Sequence, residues 1–197
     1  MFSLFFDGIQ RDLQIAILPP VLCALFRLLF IEIYRAKKSP LGEWRKWYHC
    51  FRYGFWWGMD LNAYFFLLLV LLVSLPGAFL PFYYSVGDTI RQVAVTMYAI
   101  AIYTAFLGKM IFYYHYHDIF NSTLWLGKNA EKHNLLDIFF HQDHGALLLL
   151  SYIPYTLLCW WAGKVFMLIP QLPYYHVSSN LLQITLNVCV VLAVAAI

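Results

Sequence analysis

The run FFLLLVLLV at residues 65–73 determines the fold class, because it contains no polar residue. It lies within a longer apolar stretch at 61–79, and a helix needs about 20 such residues to cross the hydrocarbon core of a bilayer. Over the whole chain 62% of residues are hydrophobic and 12% are charged, whereas a soluble domain has about a quarter charged residues. The sequence therefore predicts an integral membrane protein.

Similar apolar runs lie on both sides of this stretch, and proline, glycine or polar residues separate them. With 61–79, the predicted spans are 15–34, 93–112, 146–169 and 181–197. A short turn is expected at 85–88. We predict an all-α membrane helix bundle of about five transmembrane helices with interfacial amphipathic helices, in which 1–197 is one transmembrane domain.

The segment 35–60 mixes basic residues with tryptophan and tyrosine, a composition typical of the headgroup level of a membrane. Most of the modest net charge of +3 comes from the cluster between Arg35 and Arg52. We therefore expect a membrane-surface loop here and exclude nucleic acid as a partner.

Arg27 is the ionisable residue placed most deeply in a predicted span. A charge at that depth is costly, so it usually faces the bundle interior, a partner or a functional site. Two interpretations stay open: Arg27 contacts a lipid headgroup, or its role is structural and it pairs with a carboxylate such as Asp60 or reaches an interface on its long stem. Asp60 itself precedes 61–79, where a carboxylate suits the N-terminus of a helix, and we expect it to cap that helix.

Five of the seven histidines fall between residues 113 and 145, and they are weak candidates for metal ligands. The candidates are His115, His117, His141 and His144. The HExxH pattern is absent, and His115 and His117 would point apart on a helix, so we expect interfacial hydrogen bonding and assign no metal site. No Gly-x-Ser-x-Gly elbow is present either, and we assign no catalytic residue and no complete active site.

Several short motifs carry a resemblance to a known family. They are LFRLLF at 25–30, GMDL at 58–61 followed by Tyr64 and Pro76, and His117-Asp118. With five spans in this order, the chain resembles the N-terminal membrane domain of the lipoteichoic acid synthase family. These are phosphoglycerol transferases and sulfatase-like proteins of the alkaline phosphatase superfamily.

The resemblance implies a function. The chain would be a membrane domain of the bacterial plasma (inner) membrane that anchors a phosphoglycerol or related lipid-headgroup transferase and supplies its lipid substrate. An attached C-terminal catalytic domain, absent from this chain, would hold a divalent metal ion (Mn, Mg or Zn), while the chain itself needs no cofactor. The expected partner is an anionic phospholipid, and the expected headgroup or interdomain contacts are Arg27, Arg52, Asp60, Asp118 and Lys128.

Two arguments predict opposite membrane orientations. The resemblance implies a cytoplasmic N-terminus with 35–60 and 113–145 outside, whereas the positive-inside rule places the N-terminus outside. We prefer the orientation that the resemblance implies. Because the chain is still apolar at Ile197, we also expect it to belong to a longer protein. Two alternatives remain: a non-catalytic membrane subunit or scaffold with protein partners, and a metal-dependent membrane enzyme that uses the segment from His115 to His144.

Overall fold

The computed structural model describes residues 2–34, 44–117, 137–142, 144–175 and 180–195. These residues are helical almost throughout and include no β-strand, which confirms the predicted all-α class. The helices are α1 (Phe2–Ala16), α2 (Leu18–Tyr34), α3 (Trp44–Leu69), α4 (Leu75–Phe79), α5 (Pro81–Tyr116), α6 (Gly145–Met167) and α7 (Asn180–Ala195). Short π-helical segments lie at Val70–Ser74 and Ile138–Gln142.

Within the described residues, 4 helices are long and apolar enough to cross a membrane. They are Ser3–Tyr34, Trp44–Phe79, Ser85–Tyr116 and Gly145–Met167, and each overlaps one predicted span. The predicted span 181–197 overlaps α7, whose apolar stretch, Leu181–Val190, is shorter than the other four. A fifth crossing therefore stays a prediction.

The prediction that 35–60 forms a surface loop is wrong for 44–60, because α3 already begins at Trp44, and 35–43 lie outside the described residues. A helix of this length extends beyond the hydrocarbon core, so its basic and aromatic residues reach the headgroups while the backbone stays helical. Asp60 consequently lies inside α3, where no unpaired helix N-terminus remains for it to cap.

The predicted turn at 85–88 is also wrong, since these residues lie inside α5. The chain reverses at Leu80, whose backbone is extended (φ −115°, ψ 115°), and Pro81 opens α5 at the position where a missing N–H costs nothing. The charge of Asp88 is accommodated within the helix by ion pairs with Arg11 and Arg91.

The side-chain contacts between helices fix their directions. Asn62 of α3 donates to the carbonyl of Ala16 (2.6 Å), and Gly54 packs against Ala24 and Arg27, so α3 runs antiparallel to α2. The α2–α3 interface is the most extensive of the described bundle.

Helices α2 and α5 run in the same direction, and α6 runs against both. Phe26 stacks on Phe106 with ring centroids 4.5 Å apart, and farther along both helices the Tyr34 hydroxyl donates to the Met110 carbonyl (3.0 Å). In α6 the order is reversed, because Ser151 contacts Tyr103 and the Tyr155 hydroxyl donates to the Ala99 carbonyl (2.9 Å). The ends of α2 and α5 and the start of α6 thus lie at one face of the bundle.

A small apolar core lies where these helices meet. Its buried members are Ile15, Leu18, Leu22, Leu69, Val73, Val95, Ala99 and Cys159. Most other large apolar side chains are exposed, as expected where lipid rather than water surrounds a bundle.

Gly163 allows α6 to approach α5. A Cβ at this position would lie 2.7 Å from Gln92 Nε2, and that amide donates to the Trp160 carbonyl (2.6 Å). We expect Gly163→Leu to lower the free energy of unfolding in detergent by about 1–3 kcal/mol through overpacking, as measured by thermal denaturation. Val165→Leu, at an exposed position of the same helix, is the matched control, and equal stability of both variants would contradict the predicted contact.

Candidate functional site

A groove of about 580 Å³ opens between α2, α3 and α5. Its lining residues are Cys23, Phe26, Arg27, Phe30, Gly54, Leu61, Tyr98, Ala101, Ile102, Ala105, Phe106 and Lys109. On α5 they recur every three or four residues, which is the spacing of a single helix face. We call this site the cationic groove.

Two cations, Arg27 and Lys109, lie in this groove. Neither forms an ion pair with any carboxylate that the structure describes, and no acidic residue lines the groove. Lys109 Nζ lies 4.5 Å from the centroid of the Phe30 ring, a cation–π contact that holds the ammonium at the wall. Two positive charges therefore face one groove without a described counter-charge.

Gly54 determines where the Arg27 side chain runs. A Cβ at residue 54 would lie 3.0 Å from Arg27 Cδ and 3.1 Å from Ala24 Cα. The absence of a side chain lets α3 approach α2 and leaves a channel for the arginine stem. The Arg27 stem is thereby positioned by the close approach of the two backbones, and no carboxylate among the described residues pairs with it.

The remaining walls are apolar. Phe26 and Phe106 form a stacked pair, and Ala101 and Ala105 leave space because their side chains are small. Pockets that combine apolar walls with a few convergent charged groups are typical of sites for small amphiphilic ligands. A phosphate could accept hydrogen bonds from both Arg27 and Lys109 while an apolar tail occupies the rest of the groove.

The cationic end of the groove lies toward one membrane face. Lys109 is followed by Phe112, Tyr113, Tyr114 and Tyr116 before α5 ends, and such aromatic residues are typical of the interface. The opposite end of the groove contains Tyr98, at the middle of α5. The groove thus runs from near the interface to the middle of the bundle.

A second polar site, which we call the ion cluster, lies near the start of α5. Arg91 Nε donates to Asp12 Oδ1 (2.6 Å), and Arg91 Nη2 donates to Ser74 Oγ (2.8 Å). Ser74 in turn donates to Asp12 Oδ2. The Arg91 side chain is 6% exposed and that of Asp12 is 0% exposed, so this ion pair is buried.

Beside the ion cluster is a cavity of about 230 Å³. Asp88, 42% exposed, pairs with Arg11 and with Arg91, whose Nη2 also donates to the Gly8 carbonyl. Every charge of the cluster therefore has an opposite charge beside it, unlike those of the cationic groove. This balance of charge suits a structural role in joining α1, the π-helical segment Val70–Ser74 and α5.

The structure places the predicted headgroup contacts at different sites. Arg27 lines the cationic groove, and no ion pair between Arg27 and Asp60 is described, so its contact with a lipid headgroup stays a prediction. Arg52 and Asp60 are exposed on α3 and do not line the groove. Asp118 and Lys128 lie outside the described residues.

The histidine candidates lie around the α5–α6 connection. His117 ends α5 and His144 precedes α6, both with left-handed backbones (φ 51° and 53°). His141 Nδ1 lies 3.0 Å from Asp137 Oδ1, and His115 belongs to the last turn of α5. Within the described part of the chain, no three His, Cys, Asp or Glu residues come together as a metal site, and His133 is outside it.

The structure adds residues that the sequence analysis did not assign to a site. Lys109 was not assigned to any site, and the partners Asp12, Ser74 and Arg91 were not predicted. Asp12 and Arg91 lie just outside the predicted spans 15–34 and 93–112, so hydropathy did not mark either residue as a charge inside the bundle.

No protein-family model, curated protein or solved structure matches the chain.

Proposed function

We propose that the chain binds an anionic phospholipid in the cationic groove. It would do so as the membrane domain of a lipoteichoic acid synthase-like phosphoglycerol transferase, or of a related lipid-headgroup transferase, in a bacterial plasma membrane. The observation that carries this proposal is the pair Arg27 and Lys109, which face one apolar groove without a described carboxylate.

Charge balance favours an anionic ligand. An unpaired cation within a membrane helix is costly, and natural proteins place such groups on pathways or beside ligands. A lipid phosphate supplies the negative charge that the described part of the chain does not place beside these cations, at the depth where Lys109 reaches toward the interface. Apolar walls below the two cations suit the attached hydrocarbon.

The transferase part of the proposal rests on the resemblance and on position. Arg27 belongs to the LFRLLF motif that carries the resemblance, so a motif residue and the candidate site coincide. In the orientation that the resemblance implies, the groove opens toward the extracytoplasmic face, where the catalytic domain of that family lies. Holding the lipid there would raise its effective concentration and limit its approach angles.

Headgroup selectivity tests this function. The chain is incorporated in nanodiscs, and bound lipid is counted by native mass spectrometry with phosphatidylglycerol and phosphatidylcholine of equal acyl chains. We expect retention of phosphatidylglycerol over phosphatidylcholine, because only the first leaves a net negative charge beside Arg27 and Lys109.

The matched control is Lys164→Gln, which removes a lysine that lies over Trp160 on α6, outside the groove. It should preserve the preference for phosphatidylglycerol. Equal retention of the two lipids by the unaltered chain would contradict the proposed function.

A further inference from the structure

We infer that the cationic groove holds one phospholipid of a single leaflet, with its phosphate between Arg27 and Lys109 and one acyl chain along α5 as far as Tyr98. This inference deepens the proposed function and rests on it. It specifies the occupant by position and depth: a lipid of the leaflet next to the face where α2 and α5 end.

The length of the groove matches one leaflet. Its α5 lining begins at Tyr98 and ends at Lys109, which is about 16 Å along a helix that rises 1.5 Å per residue. The hydrocarbon core of a bilayer is about 30 Å thick, so the groove covers about half of it. Tyr98 is at the middle of α5, which places the inner end of the groove near the bilayer centre.

The chemistry of the lining changes along this length. Both cations lie at the end next to Phe30 and Gly54. Helix directions place Cys23, Leu61 and Tyr98 at the other end, where the groove has no charged side chain. This distribution matches a molecule that is anionic at one end and apolar along the rest.

The apolar length also distinguishes a lipid from a soluble phosphate. Inorganic phosphate or glycerol 3-phosphate would use only the cationic end and make no contact with the apolar walls. An acyl chain would pack along these walls by van der Waals contact, which is the main attraction available within a bilayer. The groove therefore favours a lipid over the free headgroup.

Photo-crosslinking at two chain depths tests the inference. Two phosphatidylglycerols are prepared with a diazirine either near the ester group or near the terminal methyl group of the acyl chain. Each is illuminated with the full chain in nanodiscs, and crosslinked residues are identified by mass spectrometry. We expect the first probe to label the Phe30 and Lys109 end and the second to label the Leu61 and Tyr98 end.

Competition experiments and variants distinguish a failure of this inference from a failure of the proposed function. Unlabelled phosphatidylglycerol and the double variant Arg27→Gln/Lys109→Gln should each reduce groove labelling at least tenfold, whereas glycerol 3-phosphate should not. Selective binding of phosphatidylglycerol with crosslinks outside the groove, or without the depth order, would overturn this inference alone. Displacement by glycerol 3-phosphate would also overturn it. Equal labelling from a phosphatidylcholine probe would overturn both the inference and the proposed function.

Discussion

Arg91→Met is expected to lower the free energy of unfolding in detergent by about 3–5 kcal/mol. Arg91 is the partner of Asp12, which is completely buried, and the two groups are 2.6 Å apart. Removal of the guanidinium leaves an uncompensated carboxylate in the bundle interior. Thermal or denaturant unfolding followed by circular dichroism measures the loss.

Two further variants identify the buried charge as the cause. The double variant Asp12→Leu/Arg91→Met removes both charges, and we expect it to regain most of the lost stability. Asp88→Asn removes a carboxylate that is 42% exposed, so it should cost about 1 kcal/mol or less. If Arg91→Met unfolds no more easily than Asp88→Asn, the ion cluster does not join the helices as described.

The double variant Arg27→Gln/Lys109→Gln is expected to weaken binding of anionic phospholipid by about 30- to 150-fold. A basic residue near a membrane surface contributes about 1 kcal/mol, and a charged hydrogen bond about 1.5 kcal/mol or more. Two such contacts amount to about 2–3 kcal/mol, which gives this range of affinities. Titration of labelled phosphatidylglycerol into nanodiscs that hold the variant measures the change.

The fold should survive this substitution, because no described carboxylate would lose an ion-pair partner when the two cations are removed. The melting temperature in lipid-free detergent is therefore expected to stay close to that of the unaltered chain. Each single variant should lose part of the affinity. An unchanged affinity of the double variant, with unchanged folding, would show that the groove cations do not hold the lipid.

The four membrane-length helices could be predicted from the sequence because each contains a long and nearly uninterrupted apolar run. Their ends could not. The charged residues at the start of α3 interrupt hydropathy without interrupting the backbone, since a helix continues through the headgroup region. The polar residues at 85–88 suggested a turn for a similar reason. Asp88 is instead part of a helix, where it forms ion pairs with Arg11 and Arg91.

The candidate site was predictable in part. Arg27 stands out because it is a charge in the middle of an apolar run, and the structure places it in the cationic groove. Its companion Lys109 comes from a distant part of the chain, and only the parallel packing of α2 and α5 brings the two together. Spacing along the sequence could not indicate this contact.

The ion cluster was less accessible to sequence reasoning. Asp12 and Arg91 are 79 residues apart in the sequence. Their pairing depends on the return of α5 alongside α1 after the reversal at Leu80. A carboxylate and a guanidinium in separate apolar helices predict a partner of opposite charge, but not which one.

The most direct test is solid-state NMR that recouples ¹⁵N at the lysine side chains with ³¹P of phosphatidylglycerol in the surrounding bilayer. The proposed site predicts a close N–P pair for the unaltered chain that disappears in Lys109→Gln and persists in Lys164→Gln. If Lys109→Gln leaves the recoupled signal unchanged, no lipid phosphate lies beside Lys109, and the cationic groove is not a phospholipid site.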